Sequence, residues 1–212
     1  MTDATIAHGR SDPYQLHGGR PHEGPASKRI VTGFGFWLFL LSDIVIFSCF
    51  FAAYAVLRDQ TAGGPSGAEL FDLRSVAAET ALLLTSSFIC GLAMIAADIR
   101  NALWFQVGMA VTCLLGLGFL ALEFREFADL VGRGAGPTRS AFLSSFFTLV
   151  GCHGAHVSAG ILWLLTMMAQ VFAKGFRADI MRRLLCFALF WHVLDIIWVA
   201  IFSVVYLLGS AA

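Results

Sequence analysis

The stretch that decides the fold runs from Ser144 to Leu165 and reads SSFFTLVGCHGAHVSAGILWLL. It is long and apolar enough to cross a bilayer, which takes about 20 residues. At about 100° per residue, His153 and His156 lie about 60° apart on one side of the helix. The opposite side carries the small residues Gly151, Gly154, Ala155, Ser158 and Ala159. The small face favours close approach of a second helix, and the histidines need partners because an unpaired polar group in hydrocarbon costs several kcal/mol.

Composition assigns the whole chain to the integral membrane class. Hydrophobic residues make up 58% of the chain and charged residues 13%, and this charged share is roughly half of what a soluble domain carries. Lysine plus arginine equals aspartate plus glutamate, at 14 each. The net charge therefore indicates neither a nucleic acid nor an acidic partner.

Five apolar stretches are long enough to span a membrane. They are Ile30 to Leu57, Ser75 to Ala97, Leu103 to Leu122, Ala141 to Phe172 and Leu184 to Leu208. The linkers between them are short and carry turn and charge signals, so neighbouring helices should be antiparallel. We predict an all-α polytopic membrane protein in which residues 29–212 form a bundle of five transmembrane helices.

The positions of the basic residues predict the orientation of the bundle. Nine lie in the amino-terminal segment, the second linker and the fourth linker: Arg10, Arg20, Lys28, Arg29, Arg100, Lys174, Arg177, Arg182 and Arg183. The other side has Arg58, Arg74, Arg125, Arg133 and Arg139. The amino terminus should therefore be cytoplasmic and the carboxyl terminus on the outer side. Residues 1–28 are polar, without the apolar core of a signal peptide, and are expected to be a disordered cytoplasmic tail.

Ionisable residues inside the spans are the candidate functional residues, because such groups are costly in hydrocarbon. A rise of about 1.5 Å per residue places Asp43 near the midplane of the first span. Asp43 is either a proton-related or interface residue, or a buried acid bonded to a neighbouring helix. Glu79 should lie near the outer surface, with Glu123 and Glu126 one turn apart on one face at the same level. These glutamates are candidate ligands, a proton-handling pair, or a hydrated helix end beside Arg125.

The fifth span carries a second polar pair. His192 and Asp195 are three residues apart and can meet on the helix surface. Asp195 also belongs to an aromatic stripe, which is expected to pack against neighbouring helices. The stripe comprises Trp191, Asp195, Trp198, Phe202 and Tyr206.

Several chemistries remain open from these residues alone. His153 and His192 lie at similar depth and could hold a haem, which would make the chain an independent membrane cytochrome. A two-metal site is disfavoured because the Glu-x-x-His pattern of such bundles is absent. It is also disfavoured because the carboxylates and histidines should lie about 10 to 15 Å apart by helical rise. A small proton transporter using Asp43 fits the buried acid but not the absence of internal repeats. The remaining possibility is structural, with the polar residues pairing between helices or lining a lipid cleft.

Four segments resemble a known family when taken in order. FWLFLLSD (36–43), LALEFREF (120–127), FFTLVGCHGAHVSAG (146–160) and WHVLDIIWVAIFSVVYLLG (191–209) are similar to signature helices of subunit III of the haem-copper respiratory oxidases. Members of the proton-pumping cytochrome c branch usually have seven spans. Five spans, together with TAGGPSG (61–67), resemble instead the quinol-oxidising branch, the cytochrome o ubiquinol oxidases.

The resemblance implies an accessory subunit in a bacterial inner membrane. Haem and copper are expected in partner subunit I, with subunit II and a small subunit IV completing the complex. This chain is expected to stabilise subunit I and bind phospholipid, with no metal and no catalytic residue of its own. Asp43 matches the family's midmembrane acid, although the family usually has Glu there. The buried polar or lipid-cleft residues are expected to be Glu79, Glu123, Glu126, His153, His156, His192 and Asp195.

Overall fold

The structure is a computed structural model that describes residues 28–65 and 67–210. The helices in this part of the chain are α1 (Lys28–Leu57), α2 (Gly67–Leu70), α3 (Leu73–Asp98), α4 (Ala102–Gly132), α5 (Ala141–Lys174) and α6 (Ala178–Ile201). A π-helical segment (Phe202–Leu207) and α7 (Leu208–Ser210) follow. Five helical stretches are long and apolar enough to cross a membrane: α1, α3, α4, α5, and α6 continued through α7. The prediction of an all-α protein with five spans is confirmed. The predicted tail, residues 1–28, lies outside the described residues except for Lys28.

Two helices extend beyond the apolar stretches that predict them. α4 continues to Gly132 rather than ending near Leu122, and α6 begins at Ala178 rather than at Leu184. Hydropathy marks the hydrocarbon core, whereas backbone hydrogen bonding continues the helix through polar interfacial turns. The fourth linker is therefore short, and Arg182 and Arg183 belong to the first turns of α6.

Four of the long helices form the core of the bundle. α3 packs against α4 and α6, and α5 packs against the same two helices, so that the four close a ring. α1 packs outside this ring, against α5 and α6. The hydrophobic residues that α1 buries are Leu40, Phe47 and Tyr54, which repeat every seven residues and so form one narrow stripe. Its other faces expose apolar side chains such as Phe34 and Val45.

The tight turn between α3 and α4 brings these two helices into close contact. Arg100 adopts a positive φ of 57°, and the Asn101 side chain accepts a hydrogen bond from the backbone N–H of Trp104 at 3.3 Å. Further along the pair, a Cβ at Gly108 would lie 2.8 Å from the Cβ of Ala93. Small residues thus permit the close approach that membrane helices use for packing.

Candidate functional site

The candidate site is a cluster of carboxyl groups where α3 begins and α4 ends. Glu79 on α3 is fully buried, Glu123 on α4 is 3% exposed, and Glu126 is half-buried. The three carboxyl groups are close enough to interact electrostatically. The hydroxyl of Tyr206, in the π-helical segment, donates a hydrogen bond of 3.0 Å to Glu126 Oε2. Both oxygens of Glu79 and one oxygen of Glu123 have no hydrogen-bond partner among the described residues.

Gly154 on α5 positions the carboxyl group of Glu123. A Cβ at this position would lie 2.6 Å from Glu123 Oε2 and 2.8 Å from its Cδ, so the carboxyl group rests directly on the glycine backbone. The predicted separation of 10 to 15 Å between the carboxylates and the histidines is therefore wrong for Glu123, which lies beside the residue that follows His153. The reason is the direction of the side chain. Cα–Cβ bonds in a helix tilt toward its amino terminus, so the Glu123 side chain extends from the end of α4 toward the middle of the bundle.

His153 is enclosed by aromatic rings from three helices. Its ring centroid lies 6.4 Å from that of Phe47 on α1, 5.8 Å from Phe119 on α4 and 5.1 Å from Trp198 on α6. The side chain is fully buried, and neither ring nitrogen has a hydrogen-bond partner among the described residues. The indole N–H of Trp198 donates to Thr80 Oγ1 at 3.0 Å, which links this aromatic group to the residue that follows Glu79.

His156 faces α1 instead of the carboxyl cluster. Its Nδ1 donates to the backbone carbonyl of Cys152 at 2.7 Å, and its ring lies 5.3 Å from that of Phe47. Asp43 is half-buried and close enough to Cys152 to interact electrostatically. The structure thus places Asp43 at the boundary between α1 and α5, on the side of His156.

The small face of α5 is only partly a packing face. Gly154 receives the Glu123 carboxyl group, whereas Ala155 and Ala159 are exposed on the surface of the chain. A Cβ at Gly160 would lie 3.0 Å from the Trp191 ring. On this helix, Gly154 and the neighbouring Gly160 therefore accommodate side chains of α4 and α6, whereas two of the alanines of the small face meet no other helix in the described part of the chain.

The polar pair of the fifth span meets α3. Ser87 Oγ is hydrogen-bonded to His192 Nδ1 at 2.7 Å, and Ser87 also interacts with the carboxyl group of Asp195. Asp195 is 5% exposed, and its Oδ2 has no partner among the described residues. The two side chains therefore share a serine on the neighbouring helix. The expected burial of the aromatic stripe is confirmed for Trp191, Asp195, Trp198 and Tyr206, while Phe202 is half-buried.

A cavity of about 830 Å³ opens at the end of the bundle where the carboxyl cluster lies. Glu126 contributes to the wall of the cavity, so one face of the carboxyl cluster borders it. Arg133, which also lines the cavity, forms an ion pair with Asp129 at 2.6 Å. The lining residues are Leu70, Phe71, Asp72, Arg74, Ser75, Leu122, Arg125, Glu126, Asp129, Leu130 and Arg133. The mouth is therefore rich in charges of both signs, unlike the apolar surface of α1.

The predicted site residues divide into three places. Glu79, Glu123 and Glu126 come together with His153 nearby, His192 and Asp195 meet at Ser87, and Asp43 and His156 lie along α1. Within the described part of the chain, no group of three or more histidine, cysteine, aspartate or glutamate residues is arranged to hold a metal ion.

Sequence reasoning missed the partners of the cluster. Tyr206 is predicted as one member of an aromatic stripe, but its hydroxyl bonds Glu126. Gly154 is predicted as part of a helix-packing face, but it accommodates Glu123. The available signal was a glycine directly after a midmembrane histidine, where a glycine permits close approach of another group.

Comparisons with known proteins agree with this architecture. The chain matches the model of the family "Cytochrome c oxidase subunit III" over residues 21–210. It is 48% identical over 210 residues to cytochrome bo(3) ubiquinol oxidase subunit 3 of Pseudomonas aeruginosa, covering 99% of this chain and 100% of that relative. It is 48% identical over 179 residues to the Pseudomonas putida protein of the same name, covering 84% and 86%.

A relative from the other named class is nearly as similar. Cytochrome c oxidase subunit 3 of Bacillus sp. strain PS3 is 45% identical over 175 residues, which cover 82% of this chain and 84% of the relative. The match to the family model extends through all five spans, and it confirms the resemblance carried by the four sequence segments. The chain therefore belongs to the cytochrome c oxidase subunit III family.

Proposed function

We propose that this chain is the non-redox subunit III of a proton-pumping terminal ubiquinol oxidase, which couples quinol oxidation and oxygen reduction to proton translocation. The observation that carries this proposal is the end-to-end correspondence with the Pseudomonas aeruginosa relative named as a ubiquinol oxidase subunit. The Bacillus relative named as a cytochrome c oxidase subunit is the competing assignment. The identity of 48% over 99% of this chain, against 45% over 82% for the Bacillus relative, favours the quinol branch.

The role proposed for the chain is to stabilise the catalytic subunit and to bind phospholipid. Haem and copper belong to subunit I in this proposal, and subunits I, II and IV are the protein partners. The enclosed environment of His153 supports a structural role, because three aromatic rings occupy the space around the imidazole. The apolar outer surface of α1 supports contact with lipid or with a neighbouring subunit.

The proposed location is a bacterial inner membrane, with the amino terminus cytoplasmic and the carboxyl terminus periplasmic. Support comes from the basic residues at the two ends of the described helices. The turn at Arg100 and the α5–α6 connection lie at one end, which is the more basic end once the amino-terminal segment is included. The opposite end carries Arg58, Arg74, Arg125, Arg133 and Arg139.

Removing this chain from the oxidase tests the proposal. We expect the remaining complex to keep the haem absorption spectrum of its partner, because the cofactors are proposed to lie there, but to dissociate more readily in detergent. The measurements are the optical spectrum and the thermal dissociation of the complex with and without this chain. Unchanged stability of the complex would contradict the proposed stabilising role.

An independent haem-binding cytochrome is the second candidate function. It requires His153 and His192 to face a common space, but His153 contacts rings from α1, α4 and α6 while His192 bonds Ser87 on α3. The discriminating measurement is the optical spectrum of this chain expressed alone and purified in detergent. A Soret band that is lost in the His153→Ala variant would overturn the subunit proposal.

A further inference from the structure

The carboxyl cluster contains more unsatisfied polar atoms than packing alone requires. Glu79 is fully buried with both carboxyl oxygens unpartnered, and Glu123 is 3% exposed with one oxygen unpartnered. A buried polar group without a hydrogen bond costs about 1 to 3 kcal/mol in proteins. A leucine or methionine at either position would avoid that cost. The two glutamates therefore need a ligand that completes their hydrogen bonds.

The space around the cluster limits this ligand to a small one. Gly154 lies directly against the Glu123 carboxyl group, and the Tyr206 hydroxyl occupies one oxygen of Glu126. The donor set is not arranged to hold a metal ion among the described residues. Water and protons are the remaining ligands that fit carboxyl groups in such a setting, since one water can bond two to four polar partners.

The cavity gives such ligands a route to the cluster. Glu126 lies in the cavity wall, and Ser75, also in the wall, precedes Glu79 by one turn of α3. Glu126 interacts electrostatically with Glu79 and with Glu123. The charged mouth therefore reaches Glu126, which interacts with two carboxyl groups that solvent does not reach directly.

We propose that Glu79, Glu123 and Glu126, together with Tyr206, form a proton-binding site that exchanges with water through this cavity. Each exchange moves one proton between a water molecule in the cavity and one carboxyl group; only O–H bonds form and break, and no electron is transferred. The site would hold protons at one end of the bundle. This inference goes beyond the assembly role proposed above and concerns side chains of this chain alone.

Charged and titratable groups face the cluster from every helix around it. α4 also contributes Arg125, Asp129 and Arg133 at the mouth, and α5 contributes His153 beside Gly154. From the α3 end, Asp72 interacts electrostatically with Glu126, and Arg74 lines the cavity. Variants of the three glutamates must therefore be compared with variants of these neighbours before a titration is assigned.

Infrared spectroscopy of the intact oxidase complex tests the proposal. The C=O stretch of protonated carboxyl groups should change with bulk pH and shift on transfer to D₂O. Part of this signal should be lost in Glu79→Gln and in Glu126→Gln, and its frequency should move in Tyr206→Phe because a hydrogen bond to Glu126 is removed. Asp195→Asn is the matched control, since Asp195 is a buried carboxyl group that does not line the cavity. That variant should retain the part of the signal that is lost in Glu79→Gln and in Glu126→Gln.

A second variant keeps the test decisive if a glutamate variant fails to assemble. Ser75→Phe places a ring in the cavity wall while keeping all three glutamates and Tyr206, and it should slow deuterium exchange at the carboxyl groups. A signal that persists unchanged in Glu79→Gln and Glu126→Gln would overturn the proposal, as would exchange unaffected by Ser75→Phe. A signal that responds to Na⁺ or Ca²⁺ at fixed pH would identify a cation site instead. Any of these results in a correctly assembled oxidase would leave the proposed subunit function intact.

Discussion

A missing side-chain carbon at position 154 determines where the Glu123 carboxyl group can lie. The glycine gives the carboxyl group access to the α5 backbone beside His153, and a Cβ would fall inside van der Waals contact of Oε2 and Cδ. Glu123 and Gly154 are both buried in the interior of the bundle. The carboxyl group has little room to move aside, because interiors are close-packed and tolerate few volume changes.

We therefore expect Gly154→Ala to destabilise the protein by about 1 to 3 kcal/mol, the usual cost of overpacking a close-packed site. Gly151→Ala on the same helix is the matched control, since a Cβ there would meet Phe127 at an ordinary 3.7 Å. The midpoint of thermal denaturation of the purified complex measures the difference. Equal midpoints for the two variants would show that Glu123 does not rest on Gly154.

Tyr206 provides the one hydrogen bond that the structure gives to Glu126 within the described residues. Removing its hydroxyl in Tyr206→Phe should cost about 0.5 to 1.5 kcal/mol, the net contribution of one hydrogen bond, because the half-buried carboxyl group loses this donor. Tyr54→Phe is the comparison, since the Tyr54 hydroxyl is also buried but lies at a longer 3.3 Å from the carbonyl oxygen of Val205. Thermal denaturation should show a larger loss for Tyr206→Phe, and the reverse order would contradict this assignment.

At the residue scale, the sequence predicts which groups are buried better than it predicts which groups meet. Glu79, Glu123, His153 and Asp195 are buried in the bundle, as the cost of exposing them to hydrocarbon suggests. The depth of Glu123 was misjudged because helical rise counts backbone positions, whereas a glutamate side chain points toward the helix amino terminus and extends several bonds from it. Residue spacing within one helix does not show which residue of a neighbouring helix such a side chain will contact.

Among the helices, α3 and α4 show how small residues set the distance between two spans. Gly108 faces Ala93 across the pair, where a Cβ would lie 2.8 Å from the alanine Cβ. The same helices supply Glu79 and Glu123, so a change in their separation should also move the carboxyl groups. The contact at Gly108 lies nearer the connecting turn, and the carboxyl cluster lies toward the opposite end.

We expect Gly108→Ala to separate α3 from α4 and to destabilise the bundle by about 1 to 3 kcal/mol. Gly91→Ala on α3 is the control, because nothing lies within 4 Å of a Cβ at that position. An alanine there should be neutral or stabilise the helix by up to about 1 kcal/mol. The two variants can be compared by thermal denaturation. A similar loss in both would contradict the packing explanation, because nothing lies within 4 Å of a Cβ at Gly91 and helix propensity favours alanine at both positions.

The π-helical segment at the end of the fifth span carries Tyr206, the residue that bonds the carboxyl cluster. Residues 202–207 depart from α-helical hydrogen bonding, and π-helical turns are frequent at functional sites because they reorient the side chains that follow. Tyr206 lies in this segment and bonds Glu126 on α4. The aromatic stripe continues at a spacing of four residues through this segment, so sequence spacing alone does not reveal the change of helix type.

For the whole molecule, the sequence predicts the number of spans but not their arrangement. Each long helix is apolar around most of its circumference, so hydropathy cannot distinguish a helix at the centre of the bundle from one at its edge. The structure places α1 outside the ring formed by α3, α4, α5 and α6. Its narrow buried stripe leaves most of the helix surface available to lipid or to a partner subunit.

Because α1 is peripheral, the effect of Asp43 is predicted at the scale of the complex. The carboxyl group is half-buried at the α1–α5 boundary, near the middle of the span, where contact with hydrocarbon would be costly. We expect Asp43→Asn to lower proton uptake or to shorten the period over which the oxidase sustains turnover, without abolishing oxygen reduction. The reason is that the variant removes a carboxyl group at the edge of this chain, while the redox centres are proposed to lie in subunit I.

Oxygen consumption and proton uptake by the purified complex, followed until activity declines, measure this effect. Ser42→Ala is the control, since Ser42 is the exposed neighbour of Asp43 on α1 and its hydroxyl bonds the carbonyl oxygen of Phe39 in the same helix. Ser42→Ala keeps the Asp43 carboxyl group, so oxygen consumption and proton uptake should both be unaltered in this variant. Complete loss of oxidase activity in a correctly assembled Asp43→Asn complex would contradict the expectation, because it would make a residue of this chain essential for oxygen reduction itself.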